Sequence, residues 1–131
     1  MKDCTIDVEP KGGAARVVRL AGTVDAYTFP RLEFALQELL RGGDTQVVLV
    51  CQGLEYISSA GLGTLIGFAR RAREKRGDLR LAQIPPRIFQ IIDLLGFSQV
   101  LEIYDSPDLA LASFGATGPR PAEISPDDRK P

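Results

Sequence analysis

The sequence predicts a single α/β domain with a mixed, mostly parallel sheet of four or five strands, about four helices and an N-terminal β-hairpin. Short strand-like segments alternate with amphipathic helical segments, which is typical of parallel sheets joined by right-handed crossovers. The segment 47–51 is a continuous apolar run, as expected for a central strand buried on both faces. A short turn-rich link separates the first two strand-like segments, and this favours a hairpin. Together these three observations define the fold class.

The first half of the domain begins with strands predicted at 5–9 and 16–21, on either side of a link that contains Pro10 and two glycines. A helix follows, with Thr28 as its predicted N-cap and Pro30 in its first turn. The apolar residues of this helix recur at helical spacing and indicate one buried stripe. They are Phe29, Leu32, Leu36, Leu39 and Leu40.

After the strand at 47–51, the pattern predicts a second helix at about 59–76 and a strand at about 79–84. A third helix is predicted from the Pro85–Pro86 pair to Gly96, followed by a short edge strand at 100–103. The second helix places its apolar residues on one side, as an amphipathic helix does.

A last short helix is predicted after Ser106, which would cap it, with Pro107 at its first position. The domain is expected to span residues 1–114. Residues 115–131 contain four prolines among small and charged residues, and they predict a disordered C-terminal tail because they offer little apolar surface to bury.

Composition excludes several function classes. The 131 residues include sixteen basic and seventeen acidic side chains, which argues against binding driven by nucleic-acid phosphates. The chain has no histidine, so a Ser-His-Asp triad cannot form, and no phosphate-binding or dinucleotide glycine motif is present. We therefore expect a protein that is not an enzyme, has no catalytic residues and binds neither cofactor nor metal.

The remaining sequence features predict a cytoplasmic protein that does not insert into a membrane. No apolar run approaches the roughly 20 residues that span a bilayer, and the N-terminus has no signal-peptide pattern. Cys4 and Cys51 lie far apart in strand-like segments, which indicates buried reduced thiols. A monomer is the default expectation.

The most informative segment is 56–63, Tyr-Ile-Ser-Ser-Ala-Gly-Leu-Gly, at the start of the second helix. Ser58 is the predicted N-cap, since Ile57 and Leu62 then have the spacing of a hydrophobic staple. Ser59 would occupy the first helical position, where its hydroxyl is not needed for capping. A helix start favours bound negative charge, so a phosphate on Ser59 would be tolerated there.

With this segment, the chain resembles the STAS family, the domain of bacterial anti-sigma factor antagonists and of the cytoplasmic tails of sulfate transporters. The resemblance covers roughly residues 5–113. It rests on the segments 20–25 (Leu-Ala-Gly-Thr-Val-Asp), 47–51 and 56–63, on a Gly96–Phe97 turn, and on the order of the elements. In two places the chain departs from common family residues: Ser58 replaces an aspartate before the second serine, and Val50 replaces a polar residue.

The resemblance implies an anti-sigma factor antagonist that regulates transcription by partner switching. Such a protein binds an anti-sigma factor that is also a serine kinase, is released when that kinase phosphorylates it, and is restored by a PP2C-type phosphatase. The phosphorylated residue would be Ser59 here.

The predicted partner-binding residues are Asp25, Ser58, Ser59, Gly61 and Leu62. Asp25 could cap the start of the first helix or line a groove beside Ser59. Gly61 could allow close helix packing or close approach of a partner, and Leu62 is expected to lie mainly in the core.

An alternative from another class is a STAS subunit of an ABC-type lipid transport complex, which would bind and stabilise the ATPase. The two hypotheses differ in whether function depends on the Ser59 hydroxyl.

Overall fold

The computed structural model describes residues 3–10 and 13–115, which form one five-stranded sheet with four α-helices. The elements are, in chain order, β1 Cys4–Val8, β2 Arg16–Val24, α1 Phe29–Arg41, β3 Gln46–Ile57, α2 Ser59–Glu74, β4 Asp78–Ala82, α3 Pro86–Leu94, a 3-10 turn Phe97–Gln99, β5 Glu102–Tyr104 and α4 Pro107–Gly115. The strand order is β1-β2-β3-β4-β5. β1 and β2 form the antiparallel hairpin, and the other neighbours are parallel. The predicted fold class is confirmed.

The central strand β3 is buried on both faces, as its apolar run predicts. On one face it belongs to a core cluster that contains residues of α1, α2 and α3. On the other face Val48 and Val50 pack in a smaller cluster with Ala110 of α4 and with Tyr104. Three helices therefore cover one side of the sheet, and α4 alone covers the other.

β3 is longer than the predicted strand at 47–51, because it continues to Ile57. Pairing with β2 holds the additional residues in the sheet, although they are partly polar and include a glycine. A Cβ atom on Gly53 would lie 2.8 Å from the Cβ of Ala21, so this glycine permits the close approach of the two strands.

Several details of the prediction need correction. The last strand is Glu102–Tyr104 instead of 100–103, since a 3-10 turn occupies the residues before it. Thr28 occupies the N-cap of α1, but its side chain makes no capping hydrogen bond: the hydroxyl donates to the Thr23 carbonyl at 2.8 Å. Gly115, predicted to begin the tail, is the last residue of α4. The rest of the predicted tail lies outside the described residues.

Ser106 caps α4 as predicted, because its hydroxyl accepts a hydrogen bond from the Leu109 N–H at 3.1 Å.

Cys4 and Cys51 are free, buried thiols. Burial raises the pKa of the Cys51 thiol to about 12. Among the described helices, none is both long and apolar enough to cross a membrane.

A buried charged cluster lies between the sheet and α4. The Arg80 side chain donates to Asp78 at 3.1 Å and lies over the ring of Phe114 at 4.1 Å. Asp78 also accepts a hydrogen bond from Arg73 of α2 at 2.7 Å. Arg80 and Asp78 are each only 3% exposed, so this pairing satisfies charges that water does not reach. The cluster connects the end of α2 to α4.

Candidate functional site: the start of α2

The site lies where β2 and β3 end side by side. Because the two strands are parallel, their last residues, Val24 and Ile57, are register partners at one edge of the sheet. The Ser58 N–H donates to the Val24 carbonyl at 2.8 Å, which fixes the first residue after β3 against the last residue of β2. The fold thereby places Asp25, the residue after Val24, at the same edge of the sheet as Ser58.

Ser58 is the N-cap of α2. Its backbone is extended (φ −81°, ψ 170°), and its hydroxyl oxygen accepts a hydrogen bond from the Gly61 N–H at 3.2 Å. Ile57 and Leu62, the residues of the predicted staple, belong to the same core cluster. The predicted cap is confirmed, and the Ser58 hydroxyl is therefore committed to the helix.

Ser59 is the first residue of α2 and is exposed. At this position the backbone N–H groups of Ser59 and Ala60 have no carbonyl of a preceding turn to bond. They point out of the helix together with the positive end of the dipole of a 16-residue helix. The Ser59 hydroxyl is thus accessible in an environment that favours negative charge.

Asp25 organises the loop between β2 and α1. Its Oδ1 atom accepts hydrogen bonds from the N–H groups of Tyr27 at 2.9 Å and Thr28 at 3.1 Å. The Asp25 side chain therefore stabilises the turn that leads into α1, whereas Thr28 occupies the N-cap position of that helix. The carboxylate is half-buried, and its position after Val24 keeps it at the same sheet edge as Ser58.

Gly61 and Leu62 face inward. Leu62 is 1% exposed and belongs to the core. A Cβ atom on Gly61 would lie 2.7 Å from Cγ1 of Val24 and 2.8 Å from Cγ1 of Ile57, so the glycine lets the first turn of α2 pack against both strand ends. Of the two alternatives predicted for Gly61, close helix packing is the one the geometry supports. Both residues are buried and belong to the packing of the first turn of α2.

Three exposed residues that lie within four positions of Asp25 or Ser59 in the sequence were not among the predicted site residues. Tyr27 is 85% exposed, Tyr56 is 48% exposed, and Gly63 lies one turn after Ser59 with no atom within 4 Å of a Cβ added to it. A side chain at position 63 would meet no neighbouring atom, so packing does not explain the glycine there. Glycine inside a helix lowers its stability by about 0.8–1 kcal/mol relative to alanine. A sequence pattern does not show exposure, although Tyr56 and Gly63 both lie in the motif that drew attention to the site.

The arrangement can present a hydroxyl and bind an anion, but it has no group suited to activate a nucleophile. The chain contains no histidine, and the carboxylate of Asp25 is engaged with backbone N–H groups.

Comparison with known proteins assigns the family. The sequence model of the STAS domain family matches residues 5–110 of this chain. The chain belongs to the STAS family. This confirms the resemblance inferred from the sequence segments.

Several curated relatives of this STAS protein are anti-sigma factor antagonists by name. BtrV of Bordetella bronchiseptica, provisionally named as one, is 32% identical over 101 residues, which cover 77% of this chain and 87% of the relative. The anti-sigma F factor antagonist of Paenibacillus polymyxa is 26% identical over 72% of this chain and 82% of its own length. The anti-sigma-B factor antagonist of Bacillus subtilis is 29% identical over 66% of this chain and 78% of its own length.

Solved structures agree on the fold. An anti-sigma factor antagonist from Mycobacterium paratuberculosis superposes with a TM-score of 0.75 at 25% identity, covering 84% of this chain and 92% of the other. The antagonist SpoIIAA in its unphosphorylated form has a TM-score of 0.72 at 17% identity, covering 87% of this chain and all of the other.

Proposed function

We propose that this STAS protein is an anti-sigma factor antagonist that binds an anti-sigma factor with serine kinase activity and is switched off by phosphorylation of Ser59. The observation that carries the proposal is the division of roles between adjacent serines. Ser58 caps α2, and Ser59 presents an exposed hydroxyl at the first position of the same helix. The names of the relatives support the regulatory role.

The proposed contact surface, which we call the switch face, consists of Asp25, Tyr27, Tyr56, Ser59 and Gly63. Exposed tyrosines supply large amphipathic contact areas and are enriched where interfaces are strongest. Because Gly63 has no side chain, a partner's backbone could approach α2 closely at this position. Ser58, Gly61 and Leu62 support this face from within by fixing the start of α2.

Phosphorylation would change the charge of the switch face and not its fold. A phosphate on Ser59 adds about 1.5–2 negative charges at neutral pH, and the helix N-terminus tolerates them. A kinase surface that fits the neutral hydroxyl would then have to desolvate a dianion beside the Asp25 carboxylate, which weakens binding. A relative with the same fold, SpoIIAA, has been solved in a phosphorylated form (TM-score 0.66), which supports compatibility of the fold with phosphate.

The remaining parts of the proposal follow from the family resemblance. A PP2C-type phosphatase would remove the phosphate and restore binding. The protein would act in the cytoplasm as a kinase substrate, with no catalytic role of its own.

Affinity capture from lysate of the native host tests this proposal, with wild type, Ser59→Asp and Ser58→Asp as baits and mass spectrometry as the readout. We expect wild type to retain an anti-sigma factor kinase and Ser59→Asp to lose it. Ser58→Asp is the matched control, because aspartate is also a good N-cap and leaves Ser59 free. Retention of the same ABC ATPase by all three baits would replace the proposal with the transporter-subunit alternative.

A further inference from the structure

The end of α2 carries a basic cluster that the proposed function does not use. We define this cluster by its four exposed side chains, Arg70, Arg71, Lys75 and Arg76. In the part of the chain that the structure describes, the side chains of Arg70, Lys75 and Arg76 form no hydrogen bond or ion pair. Arg71 bonds only the Gly67 carbonyl of its own helix, at 3.4 Å. The positive charges of the cluster are therefore available to a partner.

Arg76 is held in a backbone conformation that favours glycine. It follows Lys75, the C-cap of α2, and its φ of +67° lies in the left-handed region where helices commonly end on a glycine. A glycine at position 76 would adopt this conformation without strain. The chain thus keeps an exposed cation where the backbone favours its loss, and a strained residue of this kind points to a function of its side chain.

The connection between α3 and β5 exposes apolar side chains at the same end of the domain. Leu94 is 86% exposed, Leu95 is 51% exposed and Val100 is 37% exposed. Because β3, β4 and β5 are parallel, α2 and α3 both return to the edge of the sheet where the next strand begins. The two ends are in direct contact, since Arg73 of α2 donates a hydrogen bond to the Val100 carbonyl at 2.6 Å.

We propose that this end of the domain binds the surface of a lipid bilayer that contains anionic lipids. Unpaired arginine and lysine side chains attract anionic headgroups. Exposed leucines beside them gain free energy by leaving water at the boundary between the headgroups and the acyl chains. A free phosphate or a nucleic acid would use the cations and leave the leucines in water, so the pairing of the two kinds of side chain favours a bilayer.

Two carboxylates moderate the attraction. Glu74 lies within the turn that carries the cluster, and Asp93 precedes Leu94 and accepts a hydrogen bond from the Ser98 hydroxyl at 2.7 Å. Four exposed cations therefore face two exposed carboxylates at this end. We expect attachment that is reversible and that weakens as salt screens the charges.

Attachment at this end leaves the switch face accessible. α2 has 16 residues, so its two ends lie about 24 Å apart. Ser59 is at the start of the helix and the basic cluster is at its end. A chain bound to a bilayer through the basic cluster can therefore still present Ser59 to a protein partner.

Co-sedimentation of the full-length protein with vesicles tests the lipid preference. Vesicles of phosphatidylglycerol and phosphatidylcholine in equal parts would be compared with vesicles of phosphatidylcholine alone, at about 0.1 M salt. We expect the partition coefficient to be at least tenfold higher on the anionic vesicles. Equal binding to the two kinds of vesicle, or binding to neither, would overturn the proposal.

Replacing Arg76 by glycine tests the cluster without harming the fold, because glycine relieves the strained conformation. Arg76→Gly should lower the partition coefficient on anionic vesicles about fivefold. Arg87→Gln is the matched control, since it removes one charge from an exposed arginine at the start of α3, at the opposite end of the domain. Equal effects of the two variants would contradict binding through the basic cluster.

A pair of serine variants tests the apolar contact. Leu95 and Leu109 are both 51% exposed, and Leu109 lies on α4, which covers the other side of the sheet. We expect Leu95→Ser to lower the partition coefficient about threefold or more and Leu109→Ser to leave it unchanged. Unchanged binding of Leu95→Ser would show that the cluster binds an anion alone, and this result would overturn the bilayer as the partner.

Discussion

Replacing Gly61 by alanine should destabilise the protein, although alanine is the better helix former. The added Cβ would lie 2.7 Å from Val24 Cγ1, 2.8 Å from Ile57 Cγ1 and 3.2 Å from Ile57 Cδ1. Val24 and Ile57 are buried, β-branched and fixed in neighbouring strands, so neither can move aside by a change of rotamer. Overpacking of this kind costs about 1–3 kcal/mol, and the gain in helix propensity returns about 1 kcal/mol. We expect a net loss of up to about 2 kcal/mol.

The control for this prediction is Gly63→Ala, the same substitution two residues later. No atom lies within 4 Å of a Cβ at that position, so only the propensity gain of about 0.8–1 kcal/mol remains. The two alanine variants share the propensity gain, so urea unfolding with a common m-value should separate them by the overpacking cost alone, about 1–3 kcal/mol. A Gly61→Ala protein as stable as Gly63→Ala would refute the assignment of Gly61 to packing against the strand ends.

Other substitutions and conditions test further parts of the structure. Ser58→Ala should cost about 1 kcal/mol in urea unfolding, because the Gly61 N–H loses its acceptor, and an unchanged midpoint would contradict the cap. Arg80→Ala should lower the free energy of unfolding by about 2–4 kcal/mol, because Asp78 loses one of its two arginine partners and Phe114 loses the cation over its ring. A decrease below about 1 kcal/mol would count against a tightly paired cluster. Burial raises the pKa of the Cys51 thiol from 9.0 to about 12. Between pH 9 and 12 the thiol therefore ionises in the unfolded chain and not in the folded one, so the contribution of Cys51 to stability is full below pH 9 and is lost as the pH rises towards 12. Unfolding midpoints of wild type and Cys51→Ala across this range should converge, and parallel curves would contradict the shift.

The fold could be predicted because local pattern and global topology agree along most of the chain. The apolar run at 47–51 predicts a strand buried on both faces, and the structure places core clusters on both sides of it. The predicted cap at Ser58 also holds, since capping depends on residues a few positions apart.

The features that were missed depend on distant parts of the chain. The extension of β3 to Ile57 comes from pairing with β2, which local composition around Gly53 does not indicate. The burial of Arg80 depends on Asp78, α4 and the end of α2 together, so a strand pattern gives no sign of it. The exposure of Tyr27 follows from the loop that Asp25 organises, which only the folded arrangement reveals.

Phosphorylation of Ser59 is tested by incubating the purified chain with ATP and soluble lysate of the native host and measuring its intact mass. Wild type, Ser59→Ala and Ser58→Ala would be compared. We predict that wild type and Ser58→Ala each gain one phosphoryl group and that Ser59→Ala gains none, because only the second hydroxyl is free of the helix cap. Phosphorylation of Ser59→Ala to the wild-type extent, or loss of phosphorylation in Ser58→Ala alone, would contradict the account.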